Sequence, residues 1–227
     1  MATQGLLAQV PLFSGLNRGE LDDLAALMRR HRYAAGETIF HEGDAGTALY
    51  IIEKGEVKII LGSAEGKEVV LSLLGPGDFF GDLALLDGEP RSADAMAMEA
   101  AELLILQRHD FLRFIAEQPQ VAINLMAVLS RRLRRVDQLV LDAAFLDVGT
   151  RLVRTLLDLA HTRGQAGSKG SVVITSRLTQ SDLANMIGAT RESINKCLRR
   201  YAEMGLVRHA RGRLTLLDVE RLRKELN

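Results

Sequence analysis

Residues 179 to 200 combine helix-capping side chains with polar groups that can hydrogen-bond to nucleic-acid bases. Thr179 and Asp182 have the spacing of a capping box, which starts a helix. Gly188 suits a tight turn, because glycine adopts backbone conformations that other residues avoid. Thr190 has a hydroxyl that can cap a second helix. The pattern predicts a helix-turn-helix, and the plain alternative is an amphipathic helical hairpin with a solvated charged face.

The second helix of this motif would have two different sides. Arg191, Glu192 and Lys196 lie on one side, whereas Ile194 and Leu198 lie on the other. A helix that enters the major groove of DNA needs this arrangement, with polar groups at the bases and an apolar back against its own domain. The sequence therefore predicts a DNA-binding helix. The candidate DNA-contacting residues are Thr179, Gln180, Thr190, Arg191, Glu192, Ser193, Lys196 and Arg199.

The charge distribution along the chain supports this function. Residues 204–218 predict two short strands joined by a turn at Arg211 and Gly212, which is the form of a DNA-binding wing. Residues 176–213 carry eight Lys/Arg and three Asp/Glu, and a basic surface is what DNA binding requires. Residues 36–110 carry fifteen acidic and five basic residues, so the formal net charge of the whole chain is zero. Segments of opposite charge predict two functions in one chain.

Length and composition predict a soluble protein with more than one domain. The chain has 227 residues, of which 47% are hydrophobic, and this suffices for two packed cores. The N-terminus lacks the pattern of a signal peptide, and no apolar run is long enough to span a bilayer, so we expect a cytoplasmic protein without a membrane partner. One cysteine excludes a disulfide within the chain and a Cys-ligated iron–sulfur cluster. We expect neither a metal site nor catalysis, because the sequence shows no metal-ligand spacing and no nucleophile–base pair.

A second group of residues, between Gly81 and Ser92, has the composition of an anion site. A helical turn that begins at Gly81 offers free backbone N–H groups. Arg91 can hold a phosphate through two hydrogen bonds, Ser92 can add one, and Asp82 can accept from a sugar hydroxyl. Residues 33–106 around this group form short apolar runs between glycine turns, which is typical of a β-sandwich or small barrel. By themselves these residues also fit a surface arginine and ordinary turns.

The segments GDLALL (81–86) and PRSA (90–93) resemble the phosphate-binding cassette of cyclic-nucleotide-binding domains. With the helix-turn-helix, essentially the whole chain resembles the family of the catabolite activator protein and the fumarate–nitrate regulator (Crp/Fnr). The segment AFLDV (144–148) is similar to that family as well. The resemblance implies an α+β fold with a jelly-roll (double-stranded β-helix) cyclic-nucleotide-binding domain at 1–118, a dimerisation helix at 119–146 and a winged helix-turn-helix at 147–227.

The resemblance also implies roles for the cassette residues. Gly81 and Asp82 would hold the ribose of a cyclic nucleotide, with Leu83 beside them, and Arg91 and Ser92 would hold its cyclic phosphate. Asp82 stands where the family usually has Glu, and its side chain is one methylene shorter. The ribose contact would then need a water molecule or a shifted ligand.

Two positions on the long central helix correspond to those through which nucleotide regulators of the family contact the base. They are Val136 and Asp137 here. Valine cannot hydrogen-bond, and an ionised Asp can only accept. Adenine offers one exocyclic amine and guanine offers two adjacent donors, so both bases stay open. Cyclic AMP is favoured because it dominates the family, and cyclic GMP and cyclic di-GMP are the other candidate effectors.

Residues 119–145 predict one long helix with Pro119 in its first turn. Apolar side chains recur at alternating steps of three and four, which indicates a heptad seam between two parallel copies of the helix. The alternative is a helix that packs only on its own β domain. The intervening residues Arg131, Arg132, Arg134 and Arg135 are expected to face outward or to pair with acidic groups. The seam consists of Met126, Leu129, Leu133, Val136, Val140 and Ala143.

A shorter helix is predicted near the N-terminus. Asn17 and Glu20 have the spacing of a capping box ahead of residues 21–30. The helix would therefore extend to Arg30.

These observations predict a homodimeric transcription regulator that a cyclic purine nucleotide controls. The family resemblance implies a palindromic operator similar to TGTGA, and it makes RNA polymerase a further candidate partner through the loop 161–171. One alternative is a regulator of the same fold that senses cyclic di-GMP, cyclic GMP, a redox state or a gas. Another, from a different class, is a cyclic-nucleotide module that regulates an enzyme or a channel.

Overall fold

The computed structural model of the chain describes residues 2–63, 66, 68–210 and 212–226. The chain divides into two compact units, Met1–Arg135 and Val136–Asn227. The predicted domain boundaries at 118/119 and 146/147 stay a prediction, since the two units meet inside the long helix. Among the helices of the described residues, none has the length and apolar character needed to cross a membrane.

The first unit begins with short helices. The helices α1 (Ala2–Leu7) and α2 (Arg18–Leu27) flank a single 3-10 turn. Asn17 caps α2, and its side chain and that of Glu20 exchange hydrogen bonds with each other's backbone N–H, as predicted. The helix ends at Leu27, however, because residues 29 and 30 pair with a distant strand. The predicted extension to Arg30 is therefore wrong.

Two four-stranded antiparallel sheets form the body of the first unit. One sheet has the strand order β1-β8-β3-β6, and the other has the order β2-β7-β4-β5. The strands are β1 (Arg29–Tyr33), β2 (Thr38–Phe40), β3 (Ala48–Lys54), β4 (Val57–Gly62), β5 (Glu68–Leu74), β6 (Phe79–Phe80), β7 (Asp94–Ala97) and β8 (Ala101–Gln107). A short helix, α3 (Leu83–Asp87), lies between β6 and β7 in sequence.

Alternation along the strands creates two apolar cores. On β3, Leu49 and Ile51 belong to a core shared with the helices, whereas Ile52 belongs to a core inside the roll. Successive side chains of a strand point to opposite faces, so one sheet contributes to both cores. On β8, Leu104 faces the helices and Leu103 faces the inside of the roll. Both faces of β3 and β8 are therefore buried.

A helical segment leads out of the roll. The helix α4 (Arg108–Glu117) is followed by α5 (Pro119–Phe145), a continuous helix of 27 residues with the predicted bounds. Val121 and Leu125 of α5 are buried in the core that the helices share with the roll.

The second unit contains the end of α5 and a helical domain with a small sheet. Asp147 caps α6 by accepting hydrogen bonds from the backbone of Gly149 and Thr150. The sheet is antiparallel, with the strand order β11-β12-β10-β9. The remaining elements are α6 (Val148–Arg163), β9 (Gly164–Ala166), β10 (Val172–Ile174), α7 (Gln180–Ile187), α8 (Arg191–Glu203), β11 (Val207–Ala210), β12 (Arg213–Leu216) and α9 (Val219–Lys224).

The two strands β11 and β12 form the predicted wing. They pair in register from Val207 with Leu216 to Ala210 with Arg213. Gly212 has a positive φ of 72°, as a tight turn requires, and Arg211 lies outside the described residues. The α+β class and the order of β-roll, long helix and winged helix-turn-helix are confirmed.

Candidate ligand-binding site and nucleic-acid interface

The segment from Gly81 to Ser92 connects β6 with β7 and carries the predicted anion site. Gly81 has a φ of 81°, and a Cβ atom at this position would lie 2.6 Å from Nη1 of Arg91. Only glycine allows the arginine to approach the backbone so closely. A Cβ on Gly46 would lie 2.1 Å from that of Ala84, so the loop before β3 packs directly on α3. Two glycines thus shape the site by letting backbones approach.

Arg91 is turned into the roll. Its side chain donates from Nη1 to the carbonyl of Gly81 at 2.7 Å and from Nη2 to the carbonyl of Ala48 at 2.7 Å. The residue is only 4% exposed, and its buried Nε has no hydrogen-bond partner. Burial lowers the pKa of Arg91 from its ordinary value. An anion would therefore have to use the N–H groups that the carbonyls leave open or displace one of the carbonyls.

Two aromatic rings lie beside the guanidinium, and a third ring packs on both of them. Its Cζ lies 4.3 Å from the ring centroid of Phe40 and 5.6 Å from that of Tyr50. The Tyr50 ring stacks on Phe80 with a centroid distance of 5.2 Å, and Phe40 lies 5.8 Å from Phe80. Both distances from Arg91 are within the range of cation–π contacts. These rings are not among the predicted site residues, since apolar strand residues look alike in a sequence.

Asp82 is buried and paired with the long helix. Arg132 of α5 donates from Nη1 to both carboxylate oxygens of Asp82, at 2.8 and 3.0 Å. Its Nη2 donates to the carbonyl of Phe79 at 2.7 Å, and its guanidinium lies over the Phe79 ring. Asp82 is 1% exposed, so an unpaired charge there would be costly. The carboxylate predicted to hold a sugar hydroxyl is thus already held by a cation.

Arg132 is a site residue that the sequence analysis did not single out. The sequence predicts only that Arg132 and three neighbouring arginines face outward or pair with acidic groups. Its spacing carried a signal, because Arg132 follows Leu125 by seven residues and Val128 by four, and both of those pack on the core of the roll. The same helical face therefore brings Arg132 to Asp82.

The other predicted ligand residues are exposed to solvent. Ser92 and Leu83 are exposed, next to Arg91 and Asp82 in the chain. Val136 and Asp137 are exposed on α5, and they belong to the second unit. The first unit thus brings Gly81, Asp82 and Arg91 together with Arg132.

The helix-turn-helix begins with the predicted capping box. The backbone N–H of Asp182 donates to the Thr179 hydroxyl at 3.1 Å, and that of Thr179 donates to the Asp182 carboxylate at 2.9 Å. Gly188 ends α7 with a left-handed φ of 63°. Thr190 caps α8 by accepting from the backbone N–H of Ser193 at 3.2 Å. The hydroxyls of Thr179, Thr190 and Ser193 thus take part in capping.

The second helix of the motif, α8, presents a polar face to solvent. Ile194, Leu198 and Tyr201 are buried along its back. The exposed side also carries Asn195, which is not among the predicted contact residues. Asn195 follows Glu192 by three residues, and Asn is a common partner of adenine. The exposed predicted residues of this helix are Arg191, Glu192, Lys196 and Arg199, and Gln180 of α7 is half-buried.

The helix-turn-helix is anchored within the second unit. Arg151 of α6 donates to the carbonyl of Ile187 at 2.7 Å. Asp142 near the end of α5 is buried and forms an ion pair with Arg154 of α6. Cys197 is half-buried, and burial raises the pKa of its thiol, which disfavours the reactive thiolate.

An apolar stripe along α5 is exposed. Leu133 and Val140 are 63% and 62% exposed, and Met126 and Val136 are exposed as well. Leu129 differs, since it is half-buried against the core of its own roll. Apolar residues at seam spacing that stay in solvent are typical of an association surface.

Each unit contains a segment that matches a known protein family. Residues 30–118 match the family model of the cyclic nucleotide-binding domain, and residues 150–225 match that of the Crp-like helix-turn-helix domain. The chain is 35% identical to the CRP-like cAMP-activated global transcriptional regulator of Mycobacterium tuberculosis, over 96% of each chain. It is 39% identical to the cyclic AMP receptor protein of Thermus thermophilus, over 89% of this chain and 90% of that protein.

A solved structure has a similar fold. The c-di-GMP responsive global regulator CLP of Xanthomonas campestris superposes with a TM-score of 0.79. The two sequences are 25% identical, and the match covers 89% of this chain and 100% of that structure.

We predict that Asp82 and Arg132 stabilise the roll jointly. Asp82→Asn and Arg132→Met should each lower the free energy of unfolding, because each leaves a polar partner unmatched. The double variant should lose less than the sum of the two, with a coupling of about 0.5–3 kcal/mol in chemical denaturation. The exposed pair Arg223–Glu220, replaced by Met and Gln, is the control and should couple by less than about 1 kcal/mol. Additive losses for Asp82 and Arg132 would contradict the prediction.

Proposed function

The chain belongs to the Crp/Fnr family of transcription regulators, and we propose that it is a homodimer that binds a palindromic operator under the control of a cyclic purine nucleotide, with cyclic AMP favoured. The chain is a DNA-binding regulator with a cyclic nucleotide-binding domain, and its relatives are named transcription regulators, not enzymes. The observation that carries the effector proposal is the buried guanidinium of Arg91.

The charge balance of the site favours a monoanion. Within the described residues, no carboxylate forms an ion pair with Arg91, whereas the charge of Arg132 is matched by Asp82. Of the two arginines, Arg91 is therefore the one whose charge a ligand can pair with. A cyclic phosphodiester carries one negative charge and would neutralise it. The second charge of a linear nucleotide monophosphate would stay buried without a partner, which is costly.

The remaining parts of the nucleotide have candidate partners on either side of Arg91. Asp82 and the backbone of Gly81 and Leu83 would hold the ribose, and Ser92 would add a hydrogen bond to the phosphate. The sugar hydroxyl would either share the Asp82 carboxylate with Arg132 or displace Arg132 from it. The base would point toward α5.

We assign base recognition to Val136 and Asp137. The Asp137 carboxylate would accept from the exocyclic amine of adenine, and Val136 would pack against the ring. The named effectors of the relatives from Mycobacterium and Thermus support cyclic AMP. Cyclic GMP is the second mononucleotide.

Cyclic di-GMP is the rival effector. The Xanthomonas regulator is described as c-di-GMP responsive, and its similarity extends over both units. We rank it below cyclic AMP because the curated relatives are more similar in sequence and are named for cyclic AMP. Neither of these relatives is named for a redox or gas signal. Neither is named as part of an enzyme or a channel.

The operator proposal rests on the exposed side of α8. Arg191 and Lys196 would contact guanines through O6 and N7, and Glu192 would accept from a cytosine amine. These contacts suit a half-site similar to TGTGA, with half-sites one helical turn, about 34–36 Å, apart. Thr179, Gln180, Thr190, Ser193 and Arg199 would contact the DNA backbone or flank the bases.

We also propose that residues 119–145 of two chains associate through the apolar seam. The dimer would place its two copies of α8 on the same face of the dimer, as a palindromic site demands. RNA polymerase is a further proposed partner, through residues 161–171. These residues form the end of α6, the strand β9 and a 3-10 turn, so the predicted loop is wrong. A regulator that binds genomic DNA would act in the cytoplasm.

We predict that the effector site can be tested by calorimetric titration with cyclic AMP, cyclic GMP and cyclic di-GMP. Cyclic AMP should bind, and Arg91→Gln should abolish measurable binding because the buried cation that would offset the phosphate charge is lost. Arg113→Gln, which removes an exposed arginine of the same unit, is the control. Asp137→Asn should change the affinities for cyclic AMP and cyclic GMP by small, similar factors, whereas a much larger loss for cyclic GMP would identify guanine as the native base. Failure of the unmodified dimer to bind either mononucleotide would refute the proposal.

We predict that Arg191→Ala costs about 1–3 kcal/mol of affinity for a TGTGA-like palindrome and flattens sequence preference. Fluorescence anisotropy with specific and random duplexes measures both effects. The control is Arg208→Ala in the wing, which should weaken both duplexes alike if that residue contacts the DNA backbone. If Arg191→Ala also weakened both duplexes equally, Arg191 would be a phosphate contact.

We predict that Leu133→Glu with Val140→Glu yields a folded monomer with poor operator affinity. Four carboxylates would enter an apolar interface of the dimer, and unpaired buried charge disfavours association. Ala127→Glu with Leu141→Glu adds the same charge at exposed positions outside the seam and should leave the dimer intact. Sedimentation velocity distinguishes the two results, and a dimer that survives the first pair of substitutions would place the interface elsewhere.

A further inference from the structure

Phe40 lies closer to the Arg91 guanidinium than any other ring of the described residues. The distance from Cζ to the ring centroid is 4.3 Å for Phe40 and 5.6 Å for Tyr50. Phe40 ends β2, which pairs with β7 in the sheet opposite Tyr50. Backbone hydrogen bonds between Arg91 and residues 43 and 44 hold the two segments side by side. The Phe40 ring is therefore a fixed neighbour of the guanidinium.

The rings stabilise the cation without neutralising it. A carboxylate beside Arg91 would offset the cost of burial, but it would also compete with an incoming anion. The face of an aromatic ring carries a partial negative charge and no net charge. The two carbonyl acceptors, of Gly81 and Ala48, have the same property. These ring faces and carbonyl acceptors thus preserve the net charge of Arg91.

We propose that Phe40 is a positioning residue of the effector site, whose ring keeps the Arg91 guanidinium inside the roll and available for the phosphate of a cyclic nucleotide. This inference rests on the proposed function, because it assigns Phe40 to the site that Arg91 forms.

The effect of Phe40 on affinity acts through the population of the free protein that is competent to bind. Without the Phe40 ring, the buried guanidinium of Arg91 loses a partner. The solvent-exposed rotamers of Arg91 then become more populated. The apparent dissociation constant rises in inverse proportion to the competent fraction. A cation–π contact of ordinary strength corresponds to an affinity change of about twofold to thirtyfold.

The experiment changes the electrostatics of the ring while it keeps the shape. Phenylalanines with one, two and three fluorines replace Phe40 in the full chain by amber suppression, and calorimetry measures the affinity for cyclic AMP. Each fluorine withdraws charge from the ring face, so the dissociation constant should rise stepwise, by about twofold to thirtyfold over the series. The dissociation constant of Phe40→Leu should equal that of the trifluorinated variant, and Phe40→Tyr should keep nearly normal affinity.

Phe114 is the matched control. It is a buried phenylalanine whose partner is the Phe13 ring, in the core that the helices share with the roll. The same fluorine series there should leave the affinity unchanged. The Nε–H signal of Arg91 in NMR gives a second readout, since this buried group should exchange more quickly with water in Phe40→Leu.

The outcomes separate the two proposals. A flat fluorine series at Phe40, in a protein that binds cyclic AMP and loses binding on Arg91→Gln, overturns the role of Phe40 and leaves the effector site standing. Binding that survives Arg91→Gln, or a protein that binds no cyclic nucleotide, overturns the proposed site and the role of Phe40 with it.

Discussion

A positive charge held inside an apolar β-roll is the constraint around which the first unit is organised. Arg91 is almost completely buried, and the carbonyls of Gly81 and Ala48 accept hydrogen bonds from its terminal nitrogens. Such a charge is tolerated only where polar atoms or ring faces meet it. Position 81 favours glycine because its φ of 81° is positive and a Cβ would lie 2.6 Å from the guanidinium. The turn, the ring cluster and the neighbouring backbone therefore all serve one cation.

A second cation connects this site to the long helix. Arg132 holds both carboxylate oxygens of Asp82, and α5 continues from it without a break to Phe145. A ligand that engaged Asp82 would compete with Arg132 for the same oxygens. Within the second unit, Asp142 of the same helix pairs with Arg154 of α6. Each unit therefore holds its own part of α5 through an ion pair with a buried carboxylate.

The DNA-facing helix depends on local interactions of a different kind. Capping side chains start α7 and α8, a left-handed glycine separates them, and three apolar residues hold the back of α8. The polar side chains of α8 therefore lie together on its solvent-facing side. Three of the predicted contact residues contribute their hydroxyls to capping, so they position the helix as well as extending its polar surface.

Local physics explains what could be predicted from the sequence alone. The capping boxes at Asn17 and Thr179 and the bounds of α5 follow from interactions between residues a few positions apart, and the structure has them as predicted. Tertiary structure decided the rest. The helix α2 stops at Leu27 because the next residues pair with β8, some seventy positions away. The inward turn of Arg91 over Phe40, and the choice of Arg132 among four arginines as the partner of Asp82, depend on contacts across the roll. No sequence spacing records such contacts, because burial and charge pairing are settled only when distant segments pack together.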